Sequence, residues 1–129
     1  MSYNIYVYLN YSLSYNPVIP GGTAMTTINV VATIKAKAGK EKELENVLTS
    51  LVMETHKEPG CLTYALHRSV NNAATFIFVE KWASETALNS HLQSPHIAKA
   101  MAQKEALIES LDIAPLISMT PETAHKKTF

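Results

Sequence analysis

An α+β fold of split βαβ plan is predicted for this 129-residue chain by three observations. Alternating β-branched runs flank an amphipathic helical stretch; a second pair of extended runs is joined by turn residues; and a further helical region, broken once, leads to a last apolar run. The order strand, helix, strand, strand, helix, strand is the ferredoxin-like one.

Residues 1–24 differ from the rest. They hold five of the six tyrosines, and Tyr3, Ile5, Val7, Leu9, Tyr11, Leu13 and Tyr15 alternate with mostly polar residues, the period of a half-buried strand. Pro17, Pro20, Gly21 and Gly22 then form a linker. This segment reads either as an extension upstream of Met25 or as an added edge strand that needs a partner. The main domain spans residues 25–119, and residues 120–129 form a polar tail.

Within the domain, residues 27–37 (TINVVATIKAK) are β-branched and alternating, so they form a strand that Gly39 ends. Residues 40–57 place Leu44, Val47, Leu48, Leu51 and Val52 at helical spacing, with Glu43 and Glu45 early and His56 and Lys57 at the end. Pro59 and Gly60 stop that helix. Residues 61–68 and 75–82 then make a hairpin through a loop containing Asn71 and Asn72. Ser84 caps a helix, and Ser94-Pro95 restarts one that continues to about residue 107. Residues 114–119 read as a short final strand, which Pro115 restricts to an edge or a first position.

Composition removes several function classes. Formal charge is zero, with acids and lysines mixed along the chain, so there is no basic footprint for nucleic acid or anionic membrane. One cysteine, Cys61, excludes an internal disulfide framework, and a cytoplasmic compartment is expected. No apolar run approaches the ~20 residues of a membrane span, and the N-terminus lacks a signal-peptide pattern. The four glycines form neither a GxGxxG nor a phosphate-loop pattern, so nucleotide and flavin sites are not expected. In the 75–82 strand, Phe76, Phe78 and Trp82 fall on one side and Ile77 and Val79 on the other. Helices cover one face, and a second copy is expected on the other, giving a dimer made sheet to sheet.

EPGCLTY at residues 58–64, FVEKW at 78–82, SETAL at 84–88 and HLQSPHI at 91–97, in that order, resemble the antibiotic biosynthesis monooxygenase domain, and within it the small bacterial quinol monooxygenases. The resemblance spans about residues 25–119. It implies a homodimeric α/β barrel with a pocket in each subunit. It also implies oxidation of quinol- or anthrol-like aromatics by molecular oxygen, with no flavin, haem or metal cofactor. Relatives of similar appearance include an isomerase or lyase of a phosphorylated signalling sugar and haem-degrading enzymes. A non-catalytic dimeric binding or stress module is the alternative from another class.

Cofactor-free oxygenation needs a base, an apolar slot and an electron-rich substrate. Histidine is the natural base. His91, beside Leu88 and Leu92, and His96, after the helix break, are the catalytic candidates, each weighed against a buried histidine that only bonds backbone. Tyr64 and Trp82 suit a planar ring through stacking and a polar handle, or else are core. His67, Arg68, Phe78 and Glu80 are candidate substrate contacts. Arg68 or Lys81 would be the phosphate contact in the isomerase reading. Glu80, beside aromatics, is either desolvated with a raised pKa or paired with Arg68 or Lys81, and pairing is the expectation. His56 and His125 read as solvated. Metal is not expected, because His91 and His96 lack i, i+4 spacing and no third ligand is evident nearby. Asn29 sits a few residues early for the haem-degrading pattern. Cys61 reads as a small buried hydrophobe.

Overall fold

The computed structural model describes residues 26–121 and 123–126, so the expected N-terminal strand lies outside the described residues. Four strands, β1 (Ile28–Ala36), β2 (Cys61–Arg68), β3 (Thr75–Trp82) and β4 (Ile108–Leu116), form one antiparallel sheet in the order β2-β3-β1-β4. Helices α1 (Glu41–Thr55), α2 (Glu85–Leu92), α3 (Pro95–Met101) and the single turn α4 (Lys104–Leu107) connect them. This is the expected ferredoxin-like fold.

Alternation decides which side chains meet the helices. In β1, Ile28, Val30, Ala32, Ile34 and Ala36 are buried while the residues between them are half-buried. The same period in β3 buries Phe76, Phe78, Glu80 and Trp82. Onto this face α1 presents Leu44, Leu48 and Leu51, α2 presents Leu88 and Leu92, and α3 presents Ile97 and Ala100. Gly39, at φ +80°, makes the turn from β1 into α1, a conformation that a side chain disfavours. Glu41 and Glu43 lie in the first turn of α1, at its positive dipole end. The helix closes at Thr55, so His56 is its C-cap and Lys57 lies beyond it.

Two expectations about the second half need correction. The helix from Pro95 does not run through to residue 107: a turn at Ala102 and Gln103 separates α3 from α4. The last strand begins at Ile108, not 114, and is nine residues long. Among the described residues β4 pairs only with β1, and there it exposes Glu109, Ser110 and Asp112, a polarity that hid it. Pro115, near its end, is tolerated on such an edge.

Candidate active site

The aromatic floor of the site follows from the register of β2 on β3. Tyr64 lies opposite Glu80, and Cys61 lies opposite Trp82. Tyr64 stacks on Phe78 with ring centroids 4.5 Å apart and meets Trp82 edge-on at 6.2 Å. His91 descends from α2 onto this floor, 4.4 Å from the Trp82 ring and 5.3 Å from Tyr64. Its side chain is only 2% exposed.

Serine chemistry sets the two histidines. Ser84 caps α2 by accepting from the Ala87 N–H at 3.1 Å. Ser94 Oγ donates to the His91 carbonyl at 2.7 Å and accepts from the Ile97 N–H at 3.3 Å, with Pro95 in the first turn of α3. The chain thus breaks and restarts within three residues. His96 is brought beside His91, ring centroids 6.0 Å apart.

A third residue joins them. Beyond α1 the chain tightens: Glu58 N–H donates to the Thr55 carbonyl at 3.0 Å, and the Gly60 carbonyl accepts from Ala83 N–H at 2.9 Å. This places Glu58 Oε2 2.7 Å from His91 Nδ1 and 2.8 Å from His96 Nε2. Burial pushes the Glu58 carboxyl up, but the hydrogen bonds and charge of the two rings outweigh it and hold the group below its ordinary value. Burial lowers the His91 pKa, and the Glu58 carboxylate only partly offsets that. His91 is therefore neutral near pH 7. A carboxylate only accepts, so the ring proton sits on Nδ1 and the lone pair is left on Nε2, which has no hydrogen-bond partner among the described residues.

Glu80 answers the opposite way. Its Oε1 accepts from Trp82 Nε1–H at 2.9 Å, and no cation among the described residues is paired with it. Burial raises its pKa to about 7, the Trp82 hydrogen bond opposes this, and the Glu58 charge adds to it. The expected pairing with Arg68 or Lys81 is therefore overturned. Arg68 is bound to Glu45 at 3.0 Å and lies over the Phe76 ring, while Lys81 sits on the other face of the sheet. Burial, then the charge of Glu80, pushes the Tyr64 hydroxyl well above its ordinary value. Cys61 is half-buried, and burial raises its thiol to about 11.

Among the predicted site residues, the fold brings together His91, His96, Tyr64, Trp82, Phe78 and Glu80. His67 and Arg68 do not join them. His67 is exposed, opposite Ile77 on the far face, and its Nδ1 lies 3.1 Å from the Ala65 carbonyl. It lies three positions from Tyr64, and an odd spacing in a strand means opposite faces. Asn29 also lies on the far face. His125 is exposed, as expected. His56 is exposed too, but its Nε2 is 2.9 Å from the Tyr64 carbonyl and so ties α1 to β2. Glu58 was missed as a site residue, although it opens the EPGCLTY motif. The absence of a third ligand beside the histidines is likewise corrected: donor atoms of Glu58, His91 and His96 all lie within 4.8 Å of one another.

A cavity of about 40 Å³ lies between helices and sheet, walled by aliphatic side chains, Tyr64, Phe78, Glu80 and His91. It has room for a water molecule or dioxygen. Outside it, between α1 and α3, runs a groove of about 480 Å³ lined by His96, Lys99 and Glu54 among others. Val47, Leu51 and Ala100 border both spaces. Among the described residues, no helix is long and apolar enough to cross a membrane.

Comparison with known proteins places this arrangement. Residues 27–103 match the family model described as antibiotic biosynthesis monooxygenase. YcnE of Bacillus subtilis, whose name assigns it provisionally to the monooxygenases, is 35% identical over 83 residues, 64% of this chain and 87% of YcnE. Protein sll1783 of Synechocystis is 27% identical over 81 residues, 63% of this chain, and the match spans only 55% of that relative. Among solved structures, PA3566 of Pseudomonas aeruginosa superposes with a TM-score of 0.72 at 31% identity, covering 77% of this chain and all of that one. With residues 27–103, most of the domain, matched by the family model and the fold shared with a solved relative, the chain belongs to the antibiotic biosynthesis monooxygenase family.

Proposed function

We propose that the protein is a cofactor-independent monooxygenase that uses molecular oxygen to hydroxylate electron-rich hydroxyaromatics of the quinol or anthrol class. The observation that carries this reading is His91: a neutral imidazole, oriented through Nδ1 by Glu58, on the wall of an apolar cavity and against Trp82 and Tyr64. His91 Nε2 takes the phenolic proton, and the anion passes one electron to oxygen. The aryl radical and superoxide combine to a peroxide, which recovers the proton from His91; the O–O bond then breaks and water leaves. Quinol plus oxygen thus gives hydroxyquinone plus water. The aromatic floor orients the ring, and the dry walls protect the radical pair.

A bicyclic aromatic needs far more than 40 Å³, since small-molecule sites run to about 300 Å³ or more. In this reading the substrate is admitted where α1 and α3 part at Val47, Leu51 and Ala100, the wall shared with the outer groove. A second copy of the chain covers the open sheet face, where Val31, Ala65, Ile77, Val79 and Ala114 are half-buried and Leu116 is exposed. Asn29 Oδ1, buried on that face without a partner among the described residues, would gain a donor there. Sedimentation equilibrium should return twice the chain mass.

The isomerase reading draws less support, because neither Arg68 nor Lys81 faces the cavity. Oxygen uptake with reduced naphthoquinols and anthrones tests the proposal, with heat-denatured protein as the control for spontaneous oxidation. Native protein should exceed that control, and His91→Ala should lose about 10²-fold or more, the weight of a general base. Uptake at the background rate across the panel would reject the monooxygenase reading.

A further inference from the structure

We propose that Glu58, His91 and His96 form a divalent-cation site of the zinc class, placed behind the cavity and reached from the outer groove, and that the bound ion silences the His91 base. The donors are two imidazole nitrogens and one carboxylate oxygen, the set that zinc and its late first-row neighbours take in preference to magnesium or calcium. Glu58 Oε2 already lies within 2.8 Å of both nitrogens, and all three donor atoms are within 4.8 Å of one another. Tetrahedral zinc with bonds of about 2.0–2.1 Å sets its donors roughly 3.3 Å apart. The required shifts are therefore fractions of an ångström for the oxygen and somewhat more for one ring. His96 has that freedom, with 18% of its side chain exposed at the start of α3.

The frame for a cation is also built: the Trp82 ring lies against His91, and Ser94 fixes the His91 carbonyl. His91 alone of the three lines the cavity, and His96 lines the groove with Glu54 and Lys99. The ion therefore sits on the solvent side of the imidazole, with the groove supplying water for its fourth position.

Silencing follows from the tautomer. A metal–Nδ1 bond replaces the Nδ1–H bond that now points at Glu58, and the neutral ring then carries its one proton on Nε2. The cavity-facing nitrogen changes from acceptor to donor, so it no longer takes a phenolic proton. This half of the inference rests on the proposed function; cation binding does not.

The test uses the full chain after dialysis against a chelator. Equilibrium dialysis with zinc chloride should give one equivalent per chain, bound at least tenfold more weakly by His96→Ala and by Glu58→Gln, and unaltered in His67→Ala. In the wild-type chain, ring ¹⁵N spectra should show His91 metal-bound at Nδ1 and protonated at Nε2, a readout that does not depend on any variant folding. No saturable binding, binding weakened only by His67→Ala, or unperturbed His91 and His96 rings would each overturn the site. Zinc should also abolish quinol-dependent oxygen uptake. Uptake that persists with zinc bound overturns the silencing. If there is no uptake even without zinc, the monooxygenase reading falls, while the stoichiometry and spectra still decide the cation site.

Discussion

Glu58 and Glu80 stand at two points of one line of contacts: Glu80 to the Trp82 indole, Trp82 to the His91 ring, His91 to Glu58, and Glu58 to His96. The side chains are the same, and the environments drive them apart. Glu58 has two imidazole donors and access to solvent, so it stays ionised. Glu80 has one indole N–H and little else, so its pKa rises to about 7. An acid at the apolar end and a carboxylate at the wet end leave the histidine between them neutral and oriented. The site is thus built from one gradient of burial across a few side chains, and each end can be perturbed separately.

Removing the divider should cost most. Trp82 is fully buried and supplies the only hydrogen bond described for Glu80, so Trp82→Ala combines a large cavity with an unpaired carboxyl. A loss of about 3–5 kcal/mol is expected by urea unfolding, the range for deleting a buried large aromatic. A loss below ~1 kcal/mol would mean that the floor is not a packed unit.

Next is the pH response of Glu80. Its folded pKa of about 7 lies above the unfolded value of 4.5, so the folded state holds the proton more tightly. The stabilisation is complete below about pH 4.5 and is lost as pH rises through 7, some 3 kcal/mol in all at 1.36 kcal/mol per unit. Glu80→Gln keeps an acceptor for Trp82 Nε1–H but does not titrate. The wild type should therefore lose about 3 kcal/mol relative to this variant as pH rises from 4.5 to 8, the His91 titration being common to both and cancelling in the difference. Parallel profiles would place the ionised carboxylate at home in the core and erase the contrast with Glu58.

Sequence legibility differs between the two acids for a physical reason. Glu80 is readable as buried because the alternation of Phe76, Phe78 and Trp82 fixes its face; only its partner was misjudged, since Arg68 is drawn to Glu45 instead. Glu58 precedes Pro59-Gly60 in what looks like an ordinary turn, and its partners lie 33 and 38 residues further on. No local period carries that information. The same split holds for the fold. β1, α1, the hairpin and both serine caps follow local rules, whereas the start of β4 depends on which edge of the sheet faces water. His67 could have been set aside from the sequence alone, because its parity with Tyr64 is odd.

Gly60 tests how tightly the Glu58 end is held. A Cβ built there would lie 2.4 Å from Ala87 Cβ, a contact that real side chains do not make, so the turn and α2 would have to separate. Gly60→Ala should cost about 1–3 kcal/mol, as overpacking does. It should also lengthen the Glu58–His91 bond, visible as a shift of the His91 ring resonances. Adding Ala87→Gly removes the opposing methyl and should restore most of the loss, apart from the ~1 kcal/mol helix penalty of glycine. If the double variant is no better than the single one, the turn is not what holds Glu58 in place.

Ser94→Ala has the smallest expected effect and is the most selective. The hydroxyl joins both histidines without touching either ring, donating to the His91 carbonyl and accepting from the Ile97 N–H as the cap of α3. Losing a serine cap costs about 1 kcal/mol, and Pro95 keeps the start of α3 pre-set. The global loss in urea should stay near that value. Amide exchange of Ile97 and Ala98 should accelerate, because the break that spaces His91 from His96 has lost its clamp. Glu80, at the dry end, should titrate as before, near 7. If its midpoint moves with the cap, the two ends are mechanically one, and the separation between the acid on Trp82 and the carboxylate on the histidines does not hold.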